Sequence, residues 1–290
     1  MKKTIILIIL ILSFSCDNNR KKHLEVKKEN NDMKTYTYFL NYRVSGNFSF
    51  YCNGILLEKI DYKRGVVEGI IYLNPLISKK DIYDISLLMM PTGTNNMIKP
   101  NEIEGNEIQI YFSENGENPP FRMIKNLTLP KYSEPQNSIF HTWEFEADVS
   151  YELENVLENA TDLSKEDPDK LLKDVVSFYT NIHEILNNGQ TDKFKAIFEE
   201  SRVRQAKSMY YNDQEVQKYI AEQVDRAGKA EGFMQPMKDY KIEIGLNNKT
   251  IKLIQETGKS PLVSVDKEGY IRIFGYTLYR NKTTGKLEVY

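Results

Sequence analysis

The chain shows three successive patterns of hydrophobic and polar residues. Residues 5–12 are an uninterrupted aliphatic run, residues 36–149 contain short apolar runs separated by turn residues, and residues 168–186 carry apolar side chains at helical spacing. Short runs bounded by Gly, Asn and Pro are typical of strands, whereas a spacing of three and four residues is typical of amphipathic helices. The pattern therefore predicts a leader, an all-β part and a part that contains helices.

The all-β pattern is clearest in its last run. Ile139, Trp143 and Phe145 alternate with polar residues, which gives a period of two and one apolar face. The earlier predicted strands are 36–44, 48–52, 55–60, 66–73, 82–90 and 107–112. Regular short strands with turns between them predict a β-sandwich domain over residues 35–150.

The second predicted domain covers residues 166–290 and follows an acidic linker at 151–165. Asp167 and Pro168 form a helix start signal, and Asn187-Asn188-Gly189 forms a stop signal. Further helices are predicted at 191–208 and 213–227, and strands at 240–246, 250–255, 262–266, 270–279 and 286–290. Helices followed by an antiparallel meander predict an α+β domain in which helices pack on an antiparallel sheet.

Two distant resemblances concern architecture alone. Residues 51–56 with Asn53-Gly54, residues 72–77 with Asn74-Pro75, and residues 82–87 resemble the jelly-roll accessory modules of bacterial glycosidases. The order of helices and strands in the second domain resembles an NTF2-like domain, in which a curved sheet wraps helices around a pocket. Leu172, Val176, Tyr179 and Ile220 are predicted to point inward, so such a pocket would be apolar.

The N-terminal residues have the layout of a secretory signal. Lys2 and Lys3 precede the aliphatic run, and Ser13-Phe14-Ser15-Cys16 follows it. The run is shorter than the roughly 20 apolar residues that span a bilayer. Residues 1–15 are therefore predicted to be a signal peptide that is removed.

Leu12-Ser13-Phe14-Ser15-Cys16 resembles the lipobox of bacterial lipoproteins. The resemblance implies that Cys16 receives diacylglycerol, becomes the mature N-terminus and anchors the protein to a membrane of the bacterial cell envelope. Several acyl chains, palmitate among them, would hold it firmly, since one chain binds only marginally. Charged residues 16–34 would then form a flexible tether. The alternative is an ordinary signal peptide with an incidental cysteine.

Charge and cysteine content narrow the possible functions. The 290 residues carry a formal net charge of -2, which provides no basic field for nucleic acid. With Cys16 lipidated, Cys52 would have no cysteine to pair with and is predicted to be a buried apolar residue rather than a nucleophile. His23, His141 and His183 lack the spacing of metal ligands, so neither a metal nor another cofactor is predicted.

Tyrosine is the one residue type whose abundance suggests a binding function, with 19 in the chain. Tyr210, Tyr211, Tyr276 and Tyr279 flank the change from helices to strands and are predicted binding residues. Tyrosine suits such surfaces because it combines a large rigid contact area with a polar tip. The alternative is that tyrosine simply favours strands.

These features together predict a non-enzymatic envelope lipoprotein whose folded part binds another macromolecule. A β domain followed by an α+β domain with the aromatic strand at 270–276 resembles lipidated immunity proteins of bacterial secretion systems, which implies a periplasm-acting toxin as the partner. The second hypothesis is a glycan-binding lipoprotein with Tyr62, Tyr72, Phe121 or Tyr132 beside a groove. The third is a hydrolase or isomerase with an NTF2-like pocket, which apolar inward residues disfavour.

Overall fold

The structure is a computed structural model that describes residues 34–61, 65–92, 96–115 and 121–290. The predicted signal peptide, Cys16 and most of the predicted tether lie outside these residues. Within the described ranges, every helix falls short of the length and hydrophobicity needed to cross a bilayer.

Eight strands and one short helix form the first domain. They are β1 (Tyr36–Ser45), β2 (Asn47–Cys52), β3 (Ile55–Ile60), β4 (Val66–Tyr72), β5 (Asp81–Met90), α1 (Pro100–Ile103), β6 (Glu107–Glu114), β7 (Arg122–Asn126) and β8 (Ile139–Ala147). One antiparallel sheet has the order β4-β1-β6-β7 and the other β3-β2-β5-β8. This confirms the predicted sandwich, and eight strands in two sheets is the strand number of a jelly roll.

The core of the sandwich lies between its two sheets. Leu40 of β1, Phe50 of β2, Leu87 of β5 and Ile110 of β6 are fully buried there. Strand β7 was not predicted, because all five of its residues are exposed and leave no alternation of apolar and polar positions. Hydrophobic periodicity thus reveals strands with one buried face and misses a strand held mainly by its backbone.

Three long helices and six strands form the second domain. They are α2 (Pro168–Asn187), α3 (Thr191–Ser208), α4 (Asp213–Gly228), β9 (Tyr240–Ile244), β10 (Thr250–Gln255), β11 (Val263–Val265), β12 (Ile271–Ile273), β13 (Leu278–Arg280) and β14 (Leu287–Val289). The three predicted helices are confirmed, and the Asp167 side chain accepts a hydrogen bond from the Lys170 main-chain nitrogen at 2.7 Å. The α+β class is therefore confirmed.

The predicted simple meander is wrong in its connectivity. One antiparallel sheet has the order β14-β13-β10-β9, while β11 and β12 form a separate two-stranded sheet. The predicted strand at 270–279 is two strands, because Phe274 bonds to Leu262 beside the β11–β12 hairpin and Leu278 pairs with Ile251 of β10. Between Phe274 and Leu278, the chain therefore leaves the β11–β12 sheet and joins the sheet that contains β10.

Helix α2 packs on the sheet through Tyr179. Its hydroxyl group donates to the Tyr276 main-chain oxygen at 2.7 Å and accepts from the Leu253 main-chain nitrogen at 3.2 Å. Tyr179 and Ile220 are buried, and Val176 is half-buried, but Leu172 is 38% exposed. The inward prediction for Leu172 was wrong because Leu171, its neighbour, occupies the buried position and adjacent residues point to different sides of a helix.

The two domains are joined through Asn74, which lies in a 3₁₀ turn between β4 and β5. Its Oδ1 accepts from the Tyr38 main-chain nitrogen at 2.7 Å, and its Nδ2 donates to the Tyr36 oxygen at 2.9 Å. The same Nδ2 lies 3.0 Å from the main-chain oxygen of Ser208, at the end of α3. Asn74 is fully buried, so one amide satisfies main-chain groups of both domains.

A second contact between the domains depends on Gly258, in the turn after β10. A Cβ atom at this position would lie 1.9 Å from the main-chain oxygen of Lys59 in β3. Beside it, Lys59 Nζ and Glu243 Oε1 form an ion pair at 2.7 Å with both side chains largely buried. The two main chains can approach this closely only because residue 258 has no side chain.

The buried amide gives the first testable prediction. We expect Asn74→Ala to lower the free energy of unfolding by about 3 kcal/mol, because it leaves buried main-chain groups without partners. Urea denaturation followed by circular dichroism measures this. The exposed Asn126 provides the control, since Asn126→Ala should change stability by less than about 0.5 kcal/mol. Equal effects of both substitutions would contradict the role of Asn74.

A second prediction separates close approach from backbone strain. Gly258 and Gly269 both have φ of 83°, but an added Cβ at Gly269 would meet nothing within 4 Å. We expect Gly269→Ala to cost about 1 kcal/mol from the left-handed conformation alone. Gly258→Ala should cost about 3 kcal/mol or more, because the domains must also separate at Lys59. Indistinguishable urea midpoints for the two variants would show that this contact contributes nothing.

Candidate binding groove

The four tyrosines predicted as binding residues lie in different environments. Tyr276 and Tyr279 are buried, with the Tyr276 ring 4.3 Å from that of Phe198 and the Tyr279 hydroxyl group donating to Glu288 at 2.7 Å. Tyr276 therefore belongs to the core of the α+β domain and Tyr279 to the apolar cluster that includes Ile55 of β3, so neither side chain is available at the surface.

Tyr210 and Tyr211 lie in the connection between α3 and α4. Tyr210 has a φ of 61°, and its ring lies 5.1 Å from that of Tyr151. The Tyr211 ring packs against Tyr219 at 6.0 Å, and both Tyr210 and Tyr211 are half-buried. Their rings thus help to hold the end of α3 in place, and the four predicted residues do not form one exposed surface.

The aromatic residues named for glycan binding are also dispersed. Tyr72 is 40% exposed, and its ring packs on Phe39, as does that of Phe121, at 5.3 Å and 4.7 Å respectively. Tyr132 is half-buried, and Tyr62 lies outside the described residues. None of the three described rings lines the groove that the sandwich does present.

That groove, here called the edge groove, opens between the edge strands β7 and β8. Each of these strands pairs on one side only, and they belong to different sheets. The space is about 540 Å³ and is lined by Tyr36, Tyr38, Ile82, Phe112, Ile124, Lys125, Glu144, Phe145, Glu146 and Asp148. A volume of about 300–1,000 Å³ is usual for sites that bind ligands.

Packed aromatic rings form the floor of the edge groove. The rings of Tyr36 and Phe112 meet edge to face at 5.4 Å, and Tyr38 lies 6.0 Å from Phe145. Tyr38 is fixed further because its hydroxyl oxygen accepts from the Asp148 main-chain nitrogen at 2.8 Å. Burial raises the pKa of Tyr38 to about 12, so its hydroxyl group stays neutral at physiological pH. The floor is rigid and uncharged.

The rim of the edge groove combines apolar and acidic side chains. Ile82 is 61% exposed and Ile124 40% exposed. Glu144, Glu146 and Asp148 line the same space as exposed carboxylates. Lys125 also lines it, and Asp148 forms an ion pair with Lys80 at 2.7 Å. The Lys125 ammonium group donates to the Glu144 main-chain oxygen, which protects the free edge of β8. The groove therefore favours a partner with apolar and basic groups.

Sequence patterns indicated the members of this groove but not the groove itself. The alternation along 139–149 directs Glu144 and Glu146 outward, and Tyr36 and Phe112 lie in predicted strands. Nothing in that alternation specifies that β7 and β8 are the edges that face each other. This juxtaposition depends on strand order, which single-chain periodicity does not encode.

The remaining candidate chemistry has structural partners. His183 Nε2 lies 3.0 Å from the Gln235 main-chain oxygen, and the His141 ring packs against Trp143 at 4.7 Å. The described residues contain no group of three His, Cys, Asp or Glu side chains arranged to hold a metal ion.

Comparison of the chain with models of known protein families, with curated proteins and with solved structures found no match.

Cys52 gives a third prediction. It is fully buried, and desolvation raises the pKa of its thiol to about 12. We therefore expect Cys52 to react with a thiol reagent at pH 8 at least about 100-fold more slowly in the native protein than in 6 M guanidinium chloride. A Cys16→Ala chain restricts the assay to this residue. Equal rates in the two conditions would contradict the buried position.

Proposed function

We propose that this protein is a non-enzymatic lipoprotein of the bacterial cell envelope that binds another protein through the edge groove. The lipobox resemblance at Cys16 supports the location, because it implies a lipid anchor ahead of the folded domains. The observation that carries the binding function is a groove with a rigid aromatic floor, exposed isoleucines and an acidic rim.

The chemistry of the groove favours a protein segment with apolar and basic side chains. Exposed Ile82 and Ile124 offer apolar surface that binding would remove from water. Glu144, Glu146 and Asp148 outnumber Lys125 and Lys80, of which Lys80 pairs with Asp148 at 2.7 Å. The remaining negative potential would attract lysine or arginine and disfavour acidic partners. Burial of apolar surface and electrostatic attraction would therefore act on the same segment of the partner.

Glycan binding is supported less well by this geometry. Sugars commonly stack on an exposed flat aromatic face, whereas the Tyr36 and Phe112 rings are packed edge to face against each other. Exposed isoleucines at the rim would also be covered poorly by a polar ligand. A glycan is thus the alternative ligand that the experiment below must distinguish.

An immunity protein against a periplasm-acting toxin is the specific form of this function that we favour. Two features support it: the domain order resembles that of lipidated immunity proteins, and the lipobox resemblance implies a lipid anchor at Cys16. An immunity protein binds its toxin and catalyses no reaction. A groove with a neutral aromatic floor and an exposed rim is compatible with that role.

Site-specific photo-crosslinking in intact cells of the native host tests the proposal. A photoreactive amino acid at Ile124 should give a single crosslinked protein, because this residue lies at the groove. The same amino acid at Leu172 is the control, since Leu172 is 38% exposed on α2, close to the 40% of Ile124. Crosslinks of equal yield and pattern from both positions would contradict the groove as the binding site.

Charge reversal identifies the partner chemistry. The double substitution Glu144→Lys and Glu146→Lys should reduce the Ile124 crosslink at least about fivefold. Glu268→Lys, at an exposed position in the β11–β12 turn, should leave the yield unchanged. If no protein is crosslinked and an oligosaccharide binds instead, the glycan alternative replaces the proposal.

A further inference from the structure

A second, partly open space lies between the two domains, away from the edge groove. This interdomain cavity has a volume of about 190 Å³. Its sandwich side is apolar and includes Ile55, Leu57 and Leu76, whereas its other side is formed by α3, β10 and the residues before and within β13–β14. The cavity is smaller than the about 300 Å³ of the smallest usual drug-sized sites.

The lining of the interdomain cavity has an unbalanced charge. Arg202 and Arg204 of α3 and Lys252 of β10 all line it, and its lining includes no aspartate or glutamate. Among the described residues, no carboxylate forms an ion pair with any of these three cations. The whole chain carries a net charge of -2, so this is a local concentration of positive charge.

Two donor groups of these side chains are buried without partners. Arg202 Nε and Arg204 Nη2 have no hydrogen-bond acceptor in the part of the chain that the structure describes. Other parts of the two guanidinium groups have contacts: Arg202 Nη1 donates to Gln205 Oε1 at 2.7 Å, and Arg204 lies 5.1 Å from the Tyr290 ring centre. A buried donor without an acceptor costs about 1–3 kcal/mol.

Two acceptor groups close to these cations already hold hydrogen bonds. Glu58 of β3 faces Lys252 but accepts a hydrogen bond from the Tyr42 hydroxyl group. The Tyr290 main-chain oxygen accepts from the Ser201 hydroxyl group at 2.7 Å. Arg202, Arg204 and Lys252 are half-buried, so water could satisfy the free N–H groups, but water would not balance the excess of positive charge that lines the cavity.

We propose that the interdomain cavity binds one small oxyanion, of the size of inorganic phosphate or a short carboxylate, between Arg202, Arg204 and Lys252. The anion would accept hydrogen bonds from the two unpartnered guanidinium nitrogens and neutralise part of the excess charge. Because the cavity walls come from both domains, the bound anion would stabilise their packing as well.

Isothermal titration calorimetry of the purified full chain with inorganic phosphate at constant ionic strength tests this proposal. We expect one phosphate per chain, and we expect Arg202→Gln and Arg204→Gln to weaken binding by roughly 10-fold or more. Arg43→Gln is the matched control, because Arg43 is an exposed arginine of β1 outside the cavity and should bind phosphate normally.

Several outcomes would overturn the proposal. The first is that phosphate, sulfate and acetate all fail to bind at concentrations up to about 50 mM, which is far above a Kd of about 1 mM. The second is binding that the two cavity variants do not weaken. The third is that chloride competes for the site as well as phosphate does. A stronger response to acetate than to phosphate would identify a carboxylate as the ligand. If the arginine variants fail to fold, thermal unfolding of the unmodified chain with added anion decides, since a specific ligand must raise Tm.

The protonation of Lys252 provides an independent test when sulfate is the anion, because sulfate keeps the same charge at all pH values around 8. Burial lowers the pKa of Lys252 to about 8, so sulfate affinity should fall as pH rises through that value. Glu58 faces Lys252 and has a raised pKa, while Lys259 lies near Glu58. Burial keeps Tyr276 neutral, and the arginines stay charged. The fall should persist in Glu58→Gln and disappear in Lys252→Met; a fall that persists in Lys252→Met would exclude Lys252.

Discussion

The fully buried amide of Asn74 is the interaction on which the arrangement of the two domains depends. A single side chain satisfies the Tyr38 and Tyr36 main-chain groups in β1 and the Ser208 oxygen at the end of α3. Because an unsatisfied buried polar group costs far more than an average hydrogen bond contributes, the end of α3 has one favourable position relative to the sandwich. The same position brings Arg204, about one turn earlier in α3, and Arg202, less than two turns earlier, to the interdomain cavity.

The other contacts between the domains extend this constraint along the interface. Gly258 allows the turn after β10 to touch the Lys59 main chain, and the Lys59–Glu243 ion pair lies beside it. The residues between the domains are held as well, since Val156, Leu157 and Ala160 pack with Ile55 and Tyr279 in a small apolar cluster. The segment predicted as a linker therefore packs against residues of both domains. Anion binding in the cavity would stabilise the same interface.

The two proposed sites differ in chemistry because they arise from different features of the fold. The edge groove exists where two sheets end beside each other, so its floor consists of core aromatic rings and its rim of outward-facing carboxylates. The interdomain cavity exists where a helix, a sheet and the sandwich meet, and it encloses cations that no carboxylate lining the cavity balances. One is suited to an extended partner with apolar and basic groups, and the other to a small anion.

The sequence by itself determined the class of both domains and the bounds of most elements, because hydrophobic periodicity and capping residues act over a few neighbouring positions. The α2 start at Asp167 and Pro168 and the alternation at 139–147 are examples. Tertiary structure alone decided the rest. It buried Tyr276 and Tyr279, divided residues 270–279 between two sheets, and converted the Asn74-Pro75 turn signal into the buried join between domains. These outcomes depend on which surfaces meet across long sequence separations, and such pairings leave no periodic trace in one chain.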